Sequence, residues 1–288
     1  MRIRATVAAV SGALALSAFV VPAAQAAGSA PSYQTEAAKA LHASGKSAFS
    51  TAEGADLGVT FSNLKIASAV KVGTTNHVST SVTYTLTHGA NYDISSDDFA
   101  TGPFIYKGSS PDTADNVLFG DAPASCTATS STTASCTGLI DIYPADDELI
   151  NSDAGTWNAG ALALQYSTGD SSVQGGLGTT KVQRYSKLTV NAGPEPITKG
   201  KTLTITGKLS RANWEDHQYH GYTNQSVQLQ FRKYGSSTYT TLKTIKSDST
   251  GNLKTTATAS VDGYWRFSFA GTTTTPAVNA TGDFVDVR

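Results

Sequence analysis

The sequence predicts an all-β protein with two antiparallel β-sandwich domains that follow a signal peptide. Three observations support this prediction. Short segments alternate apolar and polar side chains with a period of two, as strands with one buried face do. Thr, Ser, Gly and Ala are abundant, and clusters of Gly and Ser separate the segments, as turns do. No long stretch carries apolar residues at helical spacing.

The N-terminus has the pattern of a secretory signal peptide. Two arginines near the start precede an apolar run over residues 7–21, and a small-x-small pattern follows at residues 24–26. The run is shorter than the roughly 20 residues that a membrane span needs, and no later segment is apolar enough to span a bilayer. We therefore expect cleavage before Ala27 and export. The expected location is the extracellular medium or, by non-covalent retention, the cell wall or envelope.

Composition and charge divide the chain into four segments. We expect a signal peptide at 1–26, an N-terminal arm at 27–55, an acidic β-sandwich with a disulfide at 56–184, and a basic β-sandwich at 185–288. The arm contains a short Ala-rich helix candidate at 32–43, expected to be loosely attached. Residues 28–182 carry 6 basic and 15 acidic side chains, a net charge of −9, whereas residues 183–288 carry 13 and 7, a net charge of +6. This division of charge suggests that the two halves attract each other or have different partners. The alternative is that both charged surfaces are simply solvated.

The C-terminal half has the clearest strand pattern. About seven strands are expected in about 100 residues, which is typical of a β-sandwich. Leu242 and Ile245 break the alternation, which predicts a bulge or an edge strand there. The rows expected to face the core are Leu203, Ile205 and Leu209; Val227, Leu229 and Phe231; Leu253, Thr255, Ala257 and Ala259; and Trp265, Phe267 and Phe269.

These strand motifs resemble the bacterial extracellular Ig-like module. The resemblance rests on the break at Pro194 and Pro196 and on LTITG at 203–207, VQLQFR at 227–232 and GYWRF at 263–267. It implies an Ig-like sandwich but no particular activity, because such modules serve as spacers, adhesins and binding units. The whole chain is also similar to secreted two-domain proteins of Streptomyces-like bacteria that are often named calcium-binding. No residue motif for calcium carries over from that group.

The acidic half predicts a second Ig-like sandwich, with a less regular alternation. One of its rows consists of Val78, Val82, Tyr84 and Leu86. Residues 182–187, at the boundary between the halves, contain neither Gly nor Pro. We therefore expect the last strand of the first sandwich to run toward the first strand of the second.

Cys126 and Cys136 are the two cysteines of the chain. A hairpin turn at residues 130–133 would place them opposite each other, and an exported compartment permits a disulfide. Closing a loop of about 11 residues stabilises the fold by roughly 2–3 kcal/mol in the chain-entropy description. Metal binding is less favoured, because no His or further Cys lies near them. We predict a structural disulfide.

An aromatic stretch at 213–222 is the first candidate binding site. It lies between two expected strands, so we expect a long loop at one pole of the second sandwich, where binding residues often collect. Flat rings in such a loop can stack on a sugar, and we predict Trp214, Tyr219 and Tyr222 as the ligand-binding residues. Two alternatives remain. Either Trp214 and Tyr222 fold inward and cap the core, or the two histidines of the stretch hold Zn²⁺ with a carboxylate.

An acidic stretch is the second candidate site, and its predicted ligand is calcium. Asp146, Asp147, Glu148 and Asp153 offer carboxylate oxygens, which Ca²⁺ prefers. Their spacing does not match an EF-hand loop, so a solvated acidic loop is the alternative. No other cofactor is expected.

The chain has no local catalytic motif. It lacks the His-Glu-x-x-His, Gly-x-Ser-x-Gly, Walker and dinucleotide-binding patterns. We therefore predict that the protein is not an enzyme, although the members of a Ser-His-Asp triad come from distant segments and escape a spacing argument. The enzyme alternative is a metal-dependent hydrolase built on His217 and His220.

The basic side chains of the C-terminal half indicate a polyanionic partner. Many occupy outward positions on expected strands, where they would attract a wall polymer. Export and a near-neutral total charge argue against nucleic acid. The predicted function is a secreted, non-catalytic extracellular or cell-envelope protein that binds a wall polymer or glycan or serves a structural role. A calcium-binding module is the alternative, and the sequence does not predict the oligomeric state.

Overall fold

The computed structural model describes residues 32–43 and 54–288. The predicted signal peptide, residues 1–26, and most of the predicted arm lie outside the described residues. Within the described ranges the chain forms one α-helix, α1 (Tyr33–Ala43), and nineteen β-strands. No helix in those ranges is both long enough and apolar enough to cross a membrane.

The first sandwich consists of two facing sheets. One sheet has the strand order β1-β3-β7-β6 and the other has the order β2-β9-β8-β4-β5. Neighbouring strands are antiparallel except β2 and β9, which pair in parallel. The strands are β1 (Thr60–Ile66), β2 (Val70–Val72), β3 (Val78–Thr87), β4 (Phe99–Lys107), β5 (Asn116–Phe119), β6 (Ser125–Ala128), β7 (Thr133–Ile142), β8 (Gly155–Gln165) and β9 (Ser171–Arg184).

Alternating side chains build the core of the first sandwich. In β3, Val82, Tyr84 and Leu86 are buried, whereas the residues between them are at least partly exposed. These three side chains share one buried cluster with Trp157 of β8, in the facing sheet. Burial of this apolar surface is the main favourable contribution to folding.

The second sandwich also has two sheets. One is built on β12, which pairs with β10, β11, β13 and β16, and the other has the order β15-β14-β17, with β18 and β19 both paired to β17. All these pairings are antiparallel. The strands are β10 (Ser186–Leu188), β11 (Asn191–Gly193), β12 (Thr202–Asn213), β13 (Gln218–Gly221), β14 (Ser226–Lys233), β15 (Thr240–Lys246), β16 (Asn252–Thr258), β17 (Gly263–Phe269), β18 (Val278–Asn279) and β19 (Asp283–Val285).

The predicted inward rows form the core of the second sandwich. β15 is an edge strand with a register shift against β14, which accounts for the irregular alternation at Leu242 and Ile245. Phe231, Thr255 and Ala257 are only partly buried. The buried members of the rows are Leu203, Ile205, Leu209, Val227, Leu229, Leu253, Ala259, Trp265, Phe267 and Phe269. The fold class is therefore all-β with two β-sandwiches of mainly antiparallel strands, as predicted.

The predicted disulfide joins β6 and β7. Cys126 and Cys136 are paired residues in this hairpin, with their Cα atoms 4.1 Å apart. The turn between them closes where the Thr129 backbone N–H donates to the Thr133 carbonyl oxygen (2.8 Å). The prediction from the hairpin turn is confirmed.

The helix α1 packs on the outer face of the first sandwich. Strand β4 is buried along nearly its whole length, so its sheet is apolar on both faces and the outer face needs a cover. On α1, Tyr33 and Ala37 are buried and share a cluster with Phe104 and Leu162 of the sheet. The predicted helix forms, but its attachment is not loose.

The two sandwiches follow each other without a flexible linker. β9 ends at Arg184 and β10 begins at Ser186, so only Tyr185 separates them. The Tyr185 N–H donates to the Val72 carbonyl oxygen (2.8 Å), and its own carbonyl oxygen accepts the N–H of Ala212 (2.8 Å). This residue therefore hydrogen-bonds to both sandwiches.

Candidate functional site

The aromatic stretch forms a tight hairpin. β12 ends at Asn213, β13 begins at Gln218, and these two residues are paired. His217 in the turn has a backbone φ of 55°, in the left-handed region that tight turns use. The expected long loop is therefore wrong, because strand pairing continues to the turn.

Trp214 lies inside the molecule. Its side chain is 0% exposed and belongs to the core cluster of the first sandwich, although the residue follows a strand of the second. Its indole Nε1 donates to the carbonyl oxygen of Gly73 (2.9 Å). The ring therefore fills the junction between the sandwiches and presents no face to a ligand.

Tyr219 and Tyr222 are partly exposed but do not form a common platform with Trp214. The Lys187 ammonium lies 3.5 Å from the Tyr219 ring centroid, and the Arg211 guanidinium lies 4.0 Å from the Tyr222 ring centroid. Because a cation covers one face of each ring, neither ring is a bare stacking surface. The structure thus does not bring the three predicted rings together.

The hairpin and the acidic stretch contact each other. The Asn151 side-chain amide donates to the Asn213 side-chain oxygen (2.6 Å), and its own oxygen accepts the backbone N–H of Trp214 (3.1 Å). The backbone N–H of Asn151 donates to a Glu215 carboxylate oxygen (3.2 Å). Nearby, His217 Nε2 donates to the Pro144 carbonyl oxygen (2.9 Å). Two stretches that the sequence suggested as separate sites together form the junction.

The four predicted calcium ligands serve different roles. Glu148 accepts the backbone N–H of Tyr143 (2.7 Å), and Asp153 accepts the backbone N–H of Ile150 (2.9 Å). Asp146 and Asp147 are exposed. Burial, with weaker repulsion from nearby carboxylates, raises the pKa of Glu148. Within residues 32–43 and 54–288, no group of three or more His, Cys, Asp or Glu side chains is arranged to hold a metal ion.

The two histidines of the zinc alternative contact different carboxylates. His217 lies 3.3 Å from an Asp147 oxygen, whereas His220 Nε2 lies 2.6 Å from an Asp216 oxygen. Each histidine thus has one carboxylate contact of its own. In the described part of the chain they are not members of a metal-binding cluster.

A Ser-His-Asp group is present, but its geometry is not that of a catalytic triad. His77 Nε2 lies 2.9 Å from Asp141 Oδ1 and 3.2 Å from Ser79 Oγ, and Ser79 also donates directly to Asp141. A triad needs the two opposite imidazole nitrogens for its serine and its aspartate. Burial alone would raise the pKa of Asp141, but hydrogen bonds from Ser79, the Asp121 backbone and His77 hold it below its usual range. The group therefore links strands and does not activate a nucleophile.

A different surface concentrates exposed aromatic rings and cations. It lies on the outer face of the β15-β14-β17-β19 side of the second sandwich, and we name it the aromatic–arginine ladder. Its members, in order of contact, are Tyr234, Phe284, Tyr264, Arg232, Tyr239 and Arg266. Successive separations are 5.8, 5.2, 4.1, 5.3 and 3.7 Å, between ring centroids or from a guanidinium carbon to a ring centroid.

Strand register places the members of the ladder in contact. Arg232 of β14 is paired with Tyr264 of β17, which is paired with Phe284 of β19. All three side chains point outward, because each is adjacent along its strand to a residue of the core cluster: Phe231, Trp265 or Val285. On the next row, Arg266 is paired with Gln230, whose side-chain oxygen accepts the Arg266 Nε–H (2.8 Å).

The charge of the ladder is not neutralised within the described residues. Neither arginine has a carboxylate within ion-pair distance in the part of the chain that the structure describes. Arg232 donates one N–H to the Ser236 carbonyl oxygen, so most donors of both guanidinium groups have no protein partner there. Tyr234, at one end, is 63% exposed. The ladder thus presents fixed positive charge beside accessible rings.

Sequence reasoning missed this surface although it identified some of its parts. The outward parity of Tyr264 and Arg266 is visible from the alternation of β17. Tyr234 and Tyr239 lie in the loop between β14 and β15, whereas Phe284 lies on β19, and only the pairing of β14, β17 and β19 brings the two segments together. The signal that was available is the outward position of large aromatic residues on neighbouring strands.

No protein-family model matches this chain, and no curated protein matches it. Among solved structures, it is similar to the Escherichia coli adhesin FdeC at 15% identity and a TM-score of 0.35, over 83% of this chain and 66% of that one. It is similar to the Clostridium thermocellum CbhA fibronectin(III)-like modules at 15% identity and a TM-score of 0.28, over 80% of this chain and 92% of that one.

A third similar structure is dimeric latent PorU from Porphyromonas gingivalis, at 9% identity and a TM-score of 0.27, over 80% of this chain. This chain spans 20% of the PorU chain and 66% of the FdeC chain. At such identities and scores these similarities support no inference about ligands or activity.

Proposed function

We propose that this protein is a secreted, non-catalytic binding protein that recognises an anionic envelope polymer or glycan through the aromatic–arginine ladder. The observation that carries the proposal is a pair of arginines held on tyrosine rings, without carboxylate partners among the described residues, on an exposed sheet face. The predicted basic surface supports the same ligand class, because residues 183–288 carry a net charge of +6.

Stacked guanidinium groups suit anion recognition. Arginine presents donors in a planar fork that matches the oxygens of a phosphate or carboxylate, and stacking on an aromatic ring leaves those edge donors free. Contacts with Tyr239 and Gln230 orient Arg266, and contact with Tyr264 orients Arg232. This arrangement lowers the entropy cost of ordering the arginines when a ligand binds.

The aromatic members supply the apolar part of the contact. Tyr234 is exposed, and Phe284 lies beside it as a partly exposed side chain. Such rings offer large, rigid contact area with few rotatable bonds, which favours packing against the faces of sugars or polyols. A ligand with alternating anionic groups and sugar or polyol units would use both components.

The first sandwich would orient the ligand. Residues 28–182 carry a net charge of −9, so a polyanion is repelled from this sandwich and attracted to the second. The predicted leader at residues 1–26 supports export, which would place the ladder where envelope polymers occur. A calcium-binding module remains the alternative prediction, tested by calorimetric titration of metal-free protein with millimolar Ca²⁺.

Retention on polymer tests the proposal. The mature protein would be sedimented with insoluble bacterial cell wall, and its mobility would be measured in gels containing poly(glycerol phosphate). The double variant R232Q/R266Q should bind at least about tenfold more weakly, because each charged contact contributes on the order of 1 kcal/mol or more. Wild-type retention should also fall as salt rises.

A charge-matched control separates the ladder from general basicity. The variant K208Q/K254Q also removes two positive charges, but from β12 and β16, which belong to the other sheet. We expect this variant to keep most of the retention. Equal losses in both double variants would leave only non-specific attraction, and unchanged retention of R232Q/R266Q would overturn the proposal.

A further inference from the structure

A second pair of arginines lies at the junction between the sandwiches. Arg184 ends β9 of the first sandwich, and Arg211 lies on β12 of the second, paired with Ser186. Arg184 is 8% exposed, and its Nε–H donates to the Ala212 carbonyl oxygen (2.6 Å). Arg211 lies over the Tyr222 ring, with its guanidinium carbon 4.0 Å from the ring centroid. Two partly dry guanidinium groups therefore converge on one region.

No carboxylate neutralises this pair within residues 32–43 and 54–288, where neither arginine forms an ion pair. The carboxylates whose charge reaches Arg184 are Glu215 and Asp216, and both are engaged elsewhere. Glu215 accepts the N–H of Asn151 (3.2 Å), and Asp216 contacts His220 (2.6 Å). Burying a charge without a partner costs free energy, so an anion that bound at the junction would offset that cost.

Hydroxyl groups border the same region. Arg211 Nη1 lies 3.2 Å from the Thr275 hydroxyl and 3.5 Å from the Thr274 hydroxyl. Burial raises the pKa of the Tyr222 hydroxyl, but hydrogen bonds from Thr272, Thr275 and Thr274 and the positive charge of Arg211 outweigh burial and lower that pKa. Burial and the repulsion of Arg211 lower the pKa of Arg184 to about 10, so Arg184 stays charged at neutral pH. The positive potential is thus a standing property of this junction.

We propose that the junction binds a small oxyanion between Arg184 and Arg211. The chemical class is phosphate or sulfate, either as the free ion or as a group on a larger molecule. Such an ion offers several acceptor oxygens at once, which suits two guanidinium groups approaching from different sandwiches. Because its ligands come from both sandwiches, the bound anion would hold them in one orientation.

Thermal unfolding of the mature protein tests the inference. Sodium phosphate and sodium sulfate would be compared with sodium chloride at equal ionic strength. Ligands that bind only the folded state raise the melting temperature by mass action, so phosphate should raise it by about 5–11 °C when present at roughly a hundredfold its dissociation constant. Equal melting temperatures in phosphate and chloride would overturn the inference without any variant.

Variants identify the site. R211Q should weaken phosphate binding at least about tenfold in calorimetric titration, whereas K254Q removes one charge from an exposed position on β16 and should leave phosphate binding unchanged. A shift in wild type that persists in R211Q would assign phosphate to another site and reject this one. If R211Q does not fold, R211K serves instead, because it keeps the charge but loses the fork.

The two proposed anion sites fail or succeed separately. R211Q should retain cell-wall binding through the ladder, and R232Q/R266Q should retain the phosphate-induced shift, because the ladder and the junction lie on different sheets. Soluble poly(glycerol phosphate) that gives the same thermal shift as inorganic phosphate in R232Q/R266Q would assign the junction to a polymer-borne group. A shift with inorganic phosphate alone would assign it to the free ion.

Discussion

Replacing Trp214 tests whether the junction is a packed unit. Its indole is fully buried in the cluster of the first sandwich, and its N–H donates to Gly73. Truncation of a buried tryptophan to alanine removes its packing and leaves a cavity, which costs about 3–5 kcal/mol. For a chain of this size that loss corresponds to a melting temperature lower by about 6–20 °C. If Trp214 instead lay on a ligand surface, the substitution would weaken binding and leave stability nearly unchanged.

The matched variant W214F separates ring packing from the hydrogen bond. Phenylalanine keeps most of the apolar volume but leaves the Gly73 carbonyl oxygen without its donor, which costs about 1–3 kcal/mol. Urea unfolding measures both losses from the shift of the midpoint at constant slope. In W214F the remaining tryptophans, Trp157 and Trp265, report by fluorescence on the first and second sandwich respectively. A loss below about 1 kcal/mol for W214A would refute the account of the junction.

Three further predictions concern other residues of the first sandwich. Replacing both Cys126 and Cys136 by serine should lower the free energy of unfolding by roughly 2–3 kcal/mol, measured in urea against wild type with and without reductant. The Asp141 pKa is depressed in the folded state, so its stabilising contribution is present above its unfolded pKa near 4 and is lost as the pH falls through the lower folded value. D141N should therefore be less stable than wild type at pH 7 and should show a flatter loss of stability on acidification, and parallel curves would contradict the assignment. The Tyr33 hydroxyl is buried with no partner in the described residues, so Y33F should be neutral or more stable by up to about 1 kcal/mol, and a clear loss in urea unfolding would reveal a missed hydrogen bond.

The strands of the second sandwich could be predicted from the sequence because one face of each strand is exposed to solvent. The row of Trp265, Phe267 and Phe269 alternates with polar residues and is buried in full. The same argument is weaker for β4, where almost every residue is buried and alternation vanishes. Its outer face is covered by α1. Because β4 is apolar on both faces, its sequence does not alternate and does not show which face the helix covers.

The candidate sites were harder to predict because local composition does not reveal which side chains contact each other in the fold. Trp214 and Asp153 have the chemistry of ligand-binding residues, but both form hydrogen bonds within the protein. The ladder was not predicted because the loop that carries Tyr234 and Tyr239 and the strand that carries Phe284 are far apart in the chain. The cluster forms only when β14, β17 and β19 pair.

By itself the sequence determined the all-β class, the disulfide, the core rows with period two and the short connection between the sandwiches. These features depend on alternation, turn residues and spacing, which are properties of residues close together in the sequence. Only the tertiary structure decided that the aromatic hairpin and the acidic loop contact each other and that α1 covers a sheet. It also decided that two pairs of arginines form no ion pair with a carboxylate among the described residues. Those outcomes depend on contacts between segments far apart in the chain, whose register and packing no local pattern encodes.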